Sequence, residues 1–333
     1  LLYLLVQVPG VIKAGLRLKP SFNWQMPEVR RVGRLLTPRL FGQAAVQLNI
    51  IMIMTFISWL GASEQAAFGY GYQLLMLPHG IIAVSLGTVM FPRLTRLFAT
   101  DHLDQVRDMS ARTLRMVLWL TVPAAVLLAT LYVPILRVLF QGGNFGAESF
   151  SLTSQVLVLI APGAIGLAGS EIVVRTFYAM EDTRTPVIVG ILAIVFNGVF
   201  AWSLLQQFRN VGVISFSYSV TNLGRFAVLF VLLAWRLPGF LNGRLVLSLL
   251  TMGAGAVALS VTILIANTTI GRYFPGFLFI DAFVWRRDVL FVAAGLMVVG
   301  LLGFGAYVAT GVVLRAPEIS EIRSLLRRRR ASE

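Results

Sequence analysis

Residues 70–97 read YGYQLLMLPHGIIAVSLGTVMFPRLTRL. The stretch is apolar enough to cross a bilayer, but Pro78 lies near its middle, and Gly80 and Gly87 weaken the helix after it. A proline inside a helix removes one backbone hydrogen bond and clashes with the preceding turn. Lipid tolerates the freed carbonyl only where neighbouring helices or a watery cavity satisfy it. We therefore predict a kinked helix that lines a cavity, with Pro78, Gly80 and Gly87 as its hinge.

The composition of the chain is typical of a membrane protein. It has 333 residues, of which 57% are hydrophobic and 13% charged, and its mean hydropathy is +0.82. Soluble globular domains have about 25% charged residues. Because about 20 apolar helical residues cross the hydrocarbon core, we predict an all-α polytopic membrane protein. By this length the sequence holds the end of one helix at 1–12 and eight spans, near 38–61, 67–92, 114–140, 152–179, 187–206, 212–235, 245–266 and 288–314.

Basic residues predict the orientation of the chain. Of the 28 Lys and Arg residues, 22 lie in five connections, namely 13–39, 93–115, 175–184, 236–244 and 315–333. Cytoplasmic loops of membrane proteins carry the excess of Lys and Arg. We therefore expect these connections and the C-terminal tail to be cytoplasmic.

The same charges predict partners. A net charge of +14 is then a consequence of topology, and we expect no nucleic acid to bind. Arg327 to Arg330 form a basic run that attracts anionic membrane lipids. In the linker 93–115, apolar residues alternate with charges, which predicts one amphipathic helix on the cytoplasmic surface.

Catalysis is disfavoured by the residue types present. The chain has no cysteine, and Lys13 and Lys19 are its only lysines, so no phosphate-binding loop of the GxxxxGK[ST] type exists. Acidic residues on the side predicted to be external are scattered, which disfavours a metal-dependent or acid-base centre. We expect no enzyme activity, no cofactor and no metal.

Four motifs, in their order and spacing, resemble a known family. Leu77-Pro78-x-Gly80 is followed by Phe91-Pro92-Arg93-Leu94, then by Phe140-Gln141-Gly142-Gly143-Asn144-Phe145, and then by Asp182-Thr183-x-Thr185-Pro186. The chain resembles the MviN/MurJ-type lipid flippases of the multidrug/oligosaccharidyl-lipid/polysaccharide exporter superfamily along its whole length.

The resemblance implies a division of the chain. It starts inside an apolar run without Met, and we interpret it as a fragment of a two-lobe protein. The expected segments are the end of a truncated preceding helix at 1–12, a basic cytoplasmic loop at 13–37, a six-helix second transport lobe at 38–235, two additional helices at 245–314 and a basic cytoplasmic tail at 315–333.

The function implied by the resemblance is transport. Such a protein flips lipid II, a lipid-linked peptidoglycan precursor, across the bacterial cytoplasmic (inner) membrane by alternating access, and it acts as a monomer. Its partner is a lipid-linked oligosaccharide with a polyprenyl diphosphate. Two alternatives stay open: an exporter of another polysaccharide lipid or of a drug, and a non-transporting relative that acts as a scaffold.

Polar residues in the first two spans are candidates for lining the cavity. Gln43 and Gln47 lie four residues apart on one helix face, with Asn49 off that face. Amides in a membrane helix either join helices or contact a ligand, and both interpretations stay open. Flippases of this family usually carry an arginine where Gln73 stands, and that arginine is held to contact the diphosphate. An amide makes a weaker contact with phosphate than a charged guanidinium.

The later spans hold further candidates. Asn197, Asn222 and Arg225 lie deep in their spans, and Arg225 has no acidic neighbour in sequence, so it either contacts an anion or extends to the interface. Glu171 and Arg175 are spaced i, i+4 in the favourable order for an ion pair. This pair is either a structural contact or a gate facing the cavity.

Overall fold

The computed structural model describes residues 47–142, 145–273 and 285–321, together with Met26. The chain divides into two compact units, Leu1–Gln47 and Leu48–Glu333. Of the first unit, the structure describes only Met26 and Gln47. Gln43, a predicted cavity residue, lies outside the described residues.

The second unit is helical. Within the described residues the helices are α1 (Gln47–Ser58), α2 (Ala62–Pro78), α3 (Ser85–Ala99), α4 (Leu103–Thr130), α5 (Tyr132–Phe140), α6 (Ala147–Ile160), α7 (Gly163–Ala179), α8 (Arg184–Gln207), α9 (Val211–Arg236), α10 (Gly243–Tyr273) and α11 (Trp285–Val313). A π-helical turn, His79–Val84, joins α2 to α3. A short helical segment at 317–321 follows α11.

The helices are long and apolar enough to make a multi-span membrane protein. Within the described ranges, six elements pass as single membrane spans, and α6 with α7 forms a further one, bent by 43°. These seven coincide with seven of the eight predicted spans. The remaining one, 38–61, is described only from residue 47 onwards. The predicted fold class, an all-α polytopic membrane protein, is confirmed, and the count of eight spans stays a prediction.

The linker 93–115 differs from its prediction. Instead of one surface helix, residues 93–99 continue α3, the chain reverses, and α4 begins at Leu103. Asp101 takes the left-handed conformation at φ 58°, and the Thr100 hydroxyl donates to the carbonyls of Arg96 and Leu97. The apolar residues do not lie along a membrane surface, because Leu94 and Val106 are completely buried in the core.

Small residues bring α7 against α9. A Cβ on Gly166 would collide with the backbone of Asn222. Gly163 and Gly169 meet Ser219 and the ring of Phe226 in the same way. Close contact through small residues is the usual means of packing membrane helices, and it fixes the position of α9 and its polar residues.

The last two helices pack against α4 through an aromatic contact. The Tyr307 hydroxyl donates to the carbonyl of Trp119 at 3.0 Å, and the two rings lie 5.6 Å apart. Gly255 on α10 makes room, since a Cβ there would lie 2.7 Å from the Tyr307 ring. The α10–α11 hairpin therefore shares one hydrophobic core with the helices before it. The predicted division into 38–235 and 245–314 stays a prediction.

Candidate functional site

The membrane span of residues 62–99 is interrupted where the proline stands. α2 ends at Pro78, and the next six residues, His79–Val84, form a wider π-helical turn. π-turns of this kind are frequent at functional sites. The interruption widens the helix without dividing it, because Ala62–Ala99 still counts as one 38-residue span. The roles of Pro78, Gly80 and Gly87 as a hinge stay predictions.

An ion pair lies against this span. Glu171 and Arg175 on α7 pair at 2.6 Å, as their spacing predicts. A second nitrogen of Arg175 donates to the Thr88 hydroxyl on α3 at 3.0 Å. Gly87 makes this crossing possible, since a Cβ there would lie 2.9 Å from Arg175 Cδ. The guanidinium thus links α7 to α3, and the role of the pair as a gate stays a prediction.

Arg225 on α9 completes the charged group. Together with Glu171 and Arg175, its guanidinium lies within electrostatic range of His79, in the π-turn. Its Nε is buried without a hydrogen-bond partner, as is Nδ1 of His79. Neither a hydrogen bond nor an ion pair joins Arg225 to any residue that the structure describes. We call His79, Glu171, Arg175 and Arg225 the broken-span site.

The free cation is unusual for its depth. Arg225 lies 11 residues before Arg236, the last residue of α9, which is about 16 Å of helix. A charge at bilayer depth is costly, by about 2.5–3.5 kcal/mol on insertion scales. Within the broken-span site, Glu171 is the one acid, and Arg175 already occupies it. The site therefore carries one positive charge in excess, which suits an anionic ligand.

One face of the interrupted span is not covered by the described helices. Gln73 and Thr88 are exposed on it, together with Leu77 and Ile81, which are 52% and 71% exposed. Thr88 is also the residue that Arg175 reaches. The uncovered face is thus mainly apolar, with an amide near one end and a cation-bound hydroxyl near the other.

Asn197 has a different environment from Gln73. It is 1% exposed, and its amide donates to Asn49 Oδ1 at 3.0 Å. Its own Oδ1 accepts from the hydroxyls of Ser217 at 3.0 Å and Thr221 at 3.2 Å. This cluster joins α1, α8 and α9 through neutral groups. In this structure Asn197 and Asn49 hold helices together, and their contact with substrate stays a prediction.

The other predicted cavity residues are also placed. Asn222 is buried, donates to the Tyr218 carbonyl at 2.8 Å and packs on Gly166. Gln47 is exposed at the start of α1. Substrate contacts of both residues stay predictions. In the described ranges, no group of three His, Asp or Glu side chains is arranged to hold a metal ion.

A second charged cluster escapes sequence reasoning. Arg115 on α4 faces Glu318 at 3.4 Å and Glu321 at 2.9 Å, and Arg112 also binds Glu321 at 2.9 Å. The Ser248 hydroxyl on α10 donates to Glu318 at 2.5 Å. We call these five residues the C-terminal clamp. The arginines and the glutamates of the clamp lie about 200 residues apart in sequence. The one sequence feature that could have indicated the clamp is the presence of two acids, Glu318 and Glu321, at the start of an otherwise basic tail.

These features define a multi-span helical membrane protein built around an interrupted span, beside which a half-buried arginine has no partner among the described residues. The family model described as lipid II flippase MurJ matches residues 1–284. The chain therefore belongs to the MurJ family. The family resemblance of the sequence motifs is confirmed.

Individual relatives agree with this assignment. The chain is 32% identical over 206 residues to a probable lipid II flippase MurJ of Vibrio cholerae serotype O1, covering 61% of this chain and 39% of the relative. It is 28% identical to lipid II flippase MurJ of Burkholderia cenocepacia, covering 57% of this chain and 38% of the relative. The chain thus spans less than half the length of these curated relatives.

A solved structure shows the same fold. It is titled lipid II flippase MurJ in an inward closed conformation, and it superposes with a TM-score of 0.70 at 17% identity. The match covers 93% of this chain and 59% of that one. The described helices therefore have a MurJ-type fold.

Proposed function

We propose that the chain forms the C-terminal part of a flippase that moves lipid II across the bacterial cytoplasmic membrane. Its relatives are named for this lipid. The protein acts as a transporter and catalyses no bond change in its cargo. Its partner is a lipid whose diphosphate joins a saccharide to a polyprenyl chain. We also propose that the C-terminal tail is cytoplasmic, because it is rich in arginine and cytoplasmic segments of membrane proteins carry the excess of Lys and Arg.

The single observation that carries the proposal is the surplus charge of the broken-span site. Arg225 is half-buried in the middle of a membrane helix, with its Nε fully buried and without a partner among the described residues, beside a widened turn of the span. A guanidinium binds phosphate oxygens through parallel charge-assisted hydrogen bonds. A diphosphate supplies the missing negative charge.

The mechanism we propose is alternating access. The diphosphate headgroup enters a chamber bordered by the uncovered face of residues 62–99, and the polyprenyl chain stays in lipid. The exposed surfaces of α10 and α11 suit that chain, since Leu250, Leu264, Leu290 and Leu301 are 65–82% exposed. The π-turn after Pro78 supplies the local adjustment of the span, and the Glu171–Arg175 pair closes one side of the chamber.

Complementation tests the function directly. The full-length protein is expressed in a bacterium depleted of its own lipid II flippase, with its membrane level measured by immunoblot. We expect growth and normal cell-wall synthesis to return. A protein that reaches the membrane at a normal level and restores neither would overturn the proposal.

One residue favours a second candidate. Gln73 replaces the arginine that the family resemblance leads one to expect, which weakens the contact with a diphosphate. The alternative is therefore export of another polysaccharide lipid or of a drug with less charge. Transport assays in vesicles with lipid II and with a monophosphate polyprenyl saccharide distinguish the two, because the alternative predicts preference for the monophosphate.

A further inference from the structure

A cavity that shares no lining residue with the broken-span site lies where α1 and α8 end. Its volume is about 270 Å³, and it is lined by Trp59, Leu60, Trp202, Leu205, Gln206 and Arg209. The two tryptophan rings meet edge to face at 5.4 Å, and Phe56 packs on both of them. The aromatic rings thus form a fixed corner on one wall of the cavity.

The only charged side chain that lines this cavity is basic. Arg209 is exposed, and among the described residues no acidic side chain forms an ion pair with it. Gln206 adds an amide that hydrogen-bonds in both directions, and the lining contains no carboxylate. The chemistry that fits is a phosphate for the guanidinium and hydroxyl groups for the amide.

The surface leading to the cavity is apolar. One stripe of α8 is exposed along its length, comprising Ile188, Ile191, Leu192, Val195, Val199 and Trp202. Residues at this spacing share a helix face. In a bilayer that face meets acyl chains, and it leads from the hydrocarbon to the tryptophan corner. A ligand with its phosphate in the cavity therefore has a place for an attached chain.

We propose that this cavity binds the headgroup of an anionic phospholipid of the phosphatidylglycerol kind, with an acyl chain on the α8 stripe. Tryptophans also occur at membrane interfaces simply as anchors, but an anchor needs neither a cavity nor an unpaired cation beside it. The volume lies just below the range of about 300–1,000 Å³ typical for drug-sized ligands, so it suits a glycerol phosphate better than a diphosphate saccharide. The site is separate from the transport site, and the proposal does not depend on the proposed function.

Native mass spectrometry of the purified full-length protein tests this site. The probes are phosphatidylglycerol, phosphatidylethanolamine and a polyprenyl phosphate, each titrated alone. The variants are Arg209→Gln and the double change Trp59→Phe with Trp202→Phe. The matched control is Arg244→Gln, which removes an equally exposed arginine at the start of α10. Thermal unfolding of each variant verifies that it is folded.

We expect the wild type to bind phosphatidylglycerol more tightly than phosphatidylethanolamine. Arg209→Gln weakens phosphatidylglycerol binding about tenfold, because a hydrogen bond to a charged group is lost, and Arg209→Lys keeps part of it. Arg244→Gln changes it less than about twofold. Equal binding of both phospholipids, or unchanged binding in Arg209→Gln, would overturn the proposal. So would binding of the polyprenyl phosphate through Arg209 without binding of phosphatidylglycerol.

Discussion

The C-terminal clamp and the broken-span site both contain buried or half-buried charges, but they differ in how those charges are neutralised. In the clamp each arginine has at least one carboxylate within 2.9 Å. In the broken-span site Glu171 neutralises Arg175, and Arg225 is left over. Every charge of the clamp has a partner of opposite sign, although Arg115 Nε and Glu318 Oε2 lack a hydrogen bond. In the broken-span site, Arg225 has no such partner among the described residues.

The difference separates stability from binding. A buried ion pair holds two elements in register, and removing one partner leaves an expensive unpaired charge. A half-buried cation without a partner lowers stability by itself, and a bound anion offsets that cost. We therefore expect changes in the clamp to affect unfolding, and changes at Arg225 to affect substrate binding.

The largest effect is expected from Glu318→Ala. Glu318 is 1% exposed and serves both Arg115 and Ser248. Its loss leaves Arg115 with Glu321 as its remaining carboxylate, and breaking a buried pair costs about 3–5 kcal/mol. We expect a large fall in the unfolding temperature of the detergent-solubilised protein, measured by tryptophan fluorescence.

Glu321→Gln is the matched control for that change. The side chain of Glu321 is 20% exposed, so water screens its pairs and the expected loss is about 1 kcal/mol. An unfolding temperature that is equal for Glu318→Ala and the wild type would show that the clamp does not hold the C-terminal helices.

We expect Arg225→Gln to affect substrate binding and not stability, the opposite of Glu318→Ala. We expect affinity for lipid II to fall at least about tenfold, since a charge-assisted contact with the diphosphate is lost. The unfolding temperature stays the same or rises, because an unpaired, half-buried charge is removed. Titration of the purified full-length protein with lipid II, next to thermal unfolding, measures both. If Arg225→Gln lowers the unfolding temperature and leaves the affinity for lipid II unchanged, Arg225 has a structural role and does not bind the substrate.

Changes at the Glu171–Arg175 pair sharpen the comparison further. If both charges act on the anionic headgroup, Glu171→Gln raises lipid II affinity a few-fold, and Arg175→Gln lowers it by a similar factor. Stability changes by less than about 1 kcal/mol in either variant, because both side chains are 20–28% exposed. A fall in affinity in both variants would contradict this electrostatic role.

The smallest effect is expected from Gln73→Arg. The side chain is exposed on the uncovered face of the span, so the added charge meets little desolvation cost, and lipid II binds a few-fold more tightly. Gln73→Lys is the control that adds a charge without the planar fork. Identical affinities in all three proteins would remove Gln73 from the substrate site.

Sequence periodicity and motif order predict the membrane class, the approximate placement of the spans and an irregular helix at Pro78, where the structure has a π-helical turn. They succeed because each depends on residues near one another in the chain. Local pattern also predicts the Glu171–Arg175 pair.

What the sequence does not reveal depends on distant contacts. Arg115 and Glu318 meet only once the C-terminal hairpin has packed on α4. The turn at Asp101 depends on a left-handed residue with no glycine to mark it. The sequence shows Asn197 only as a polar residue in a span. Its hydrogen-bond partners come from two other helices, so its structural role is visible only after those helices have packed.

The central claim is that the uncovered face of residues 62–99 borders water. The sequence has no cysteine, so Gln73→Cys in a cysteine-free full-length protein reports on one position. Val195→Cys is the control that faces lipid, because Val195 lies on the α8 stripe and is 58% exposed. We predict that a charged, membrane-impermeant thiol reagent labels position 73, that lipid II slows this labelling, and that position 195 stays unlabelled. Equal resistance of both positions to the reagent would contradict the account.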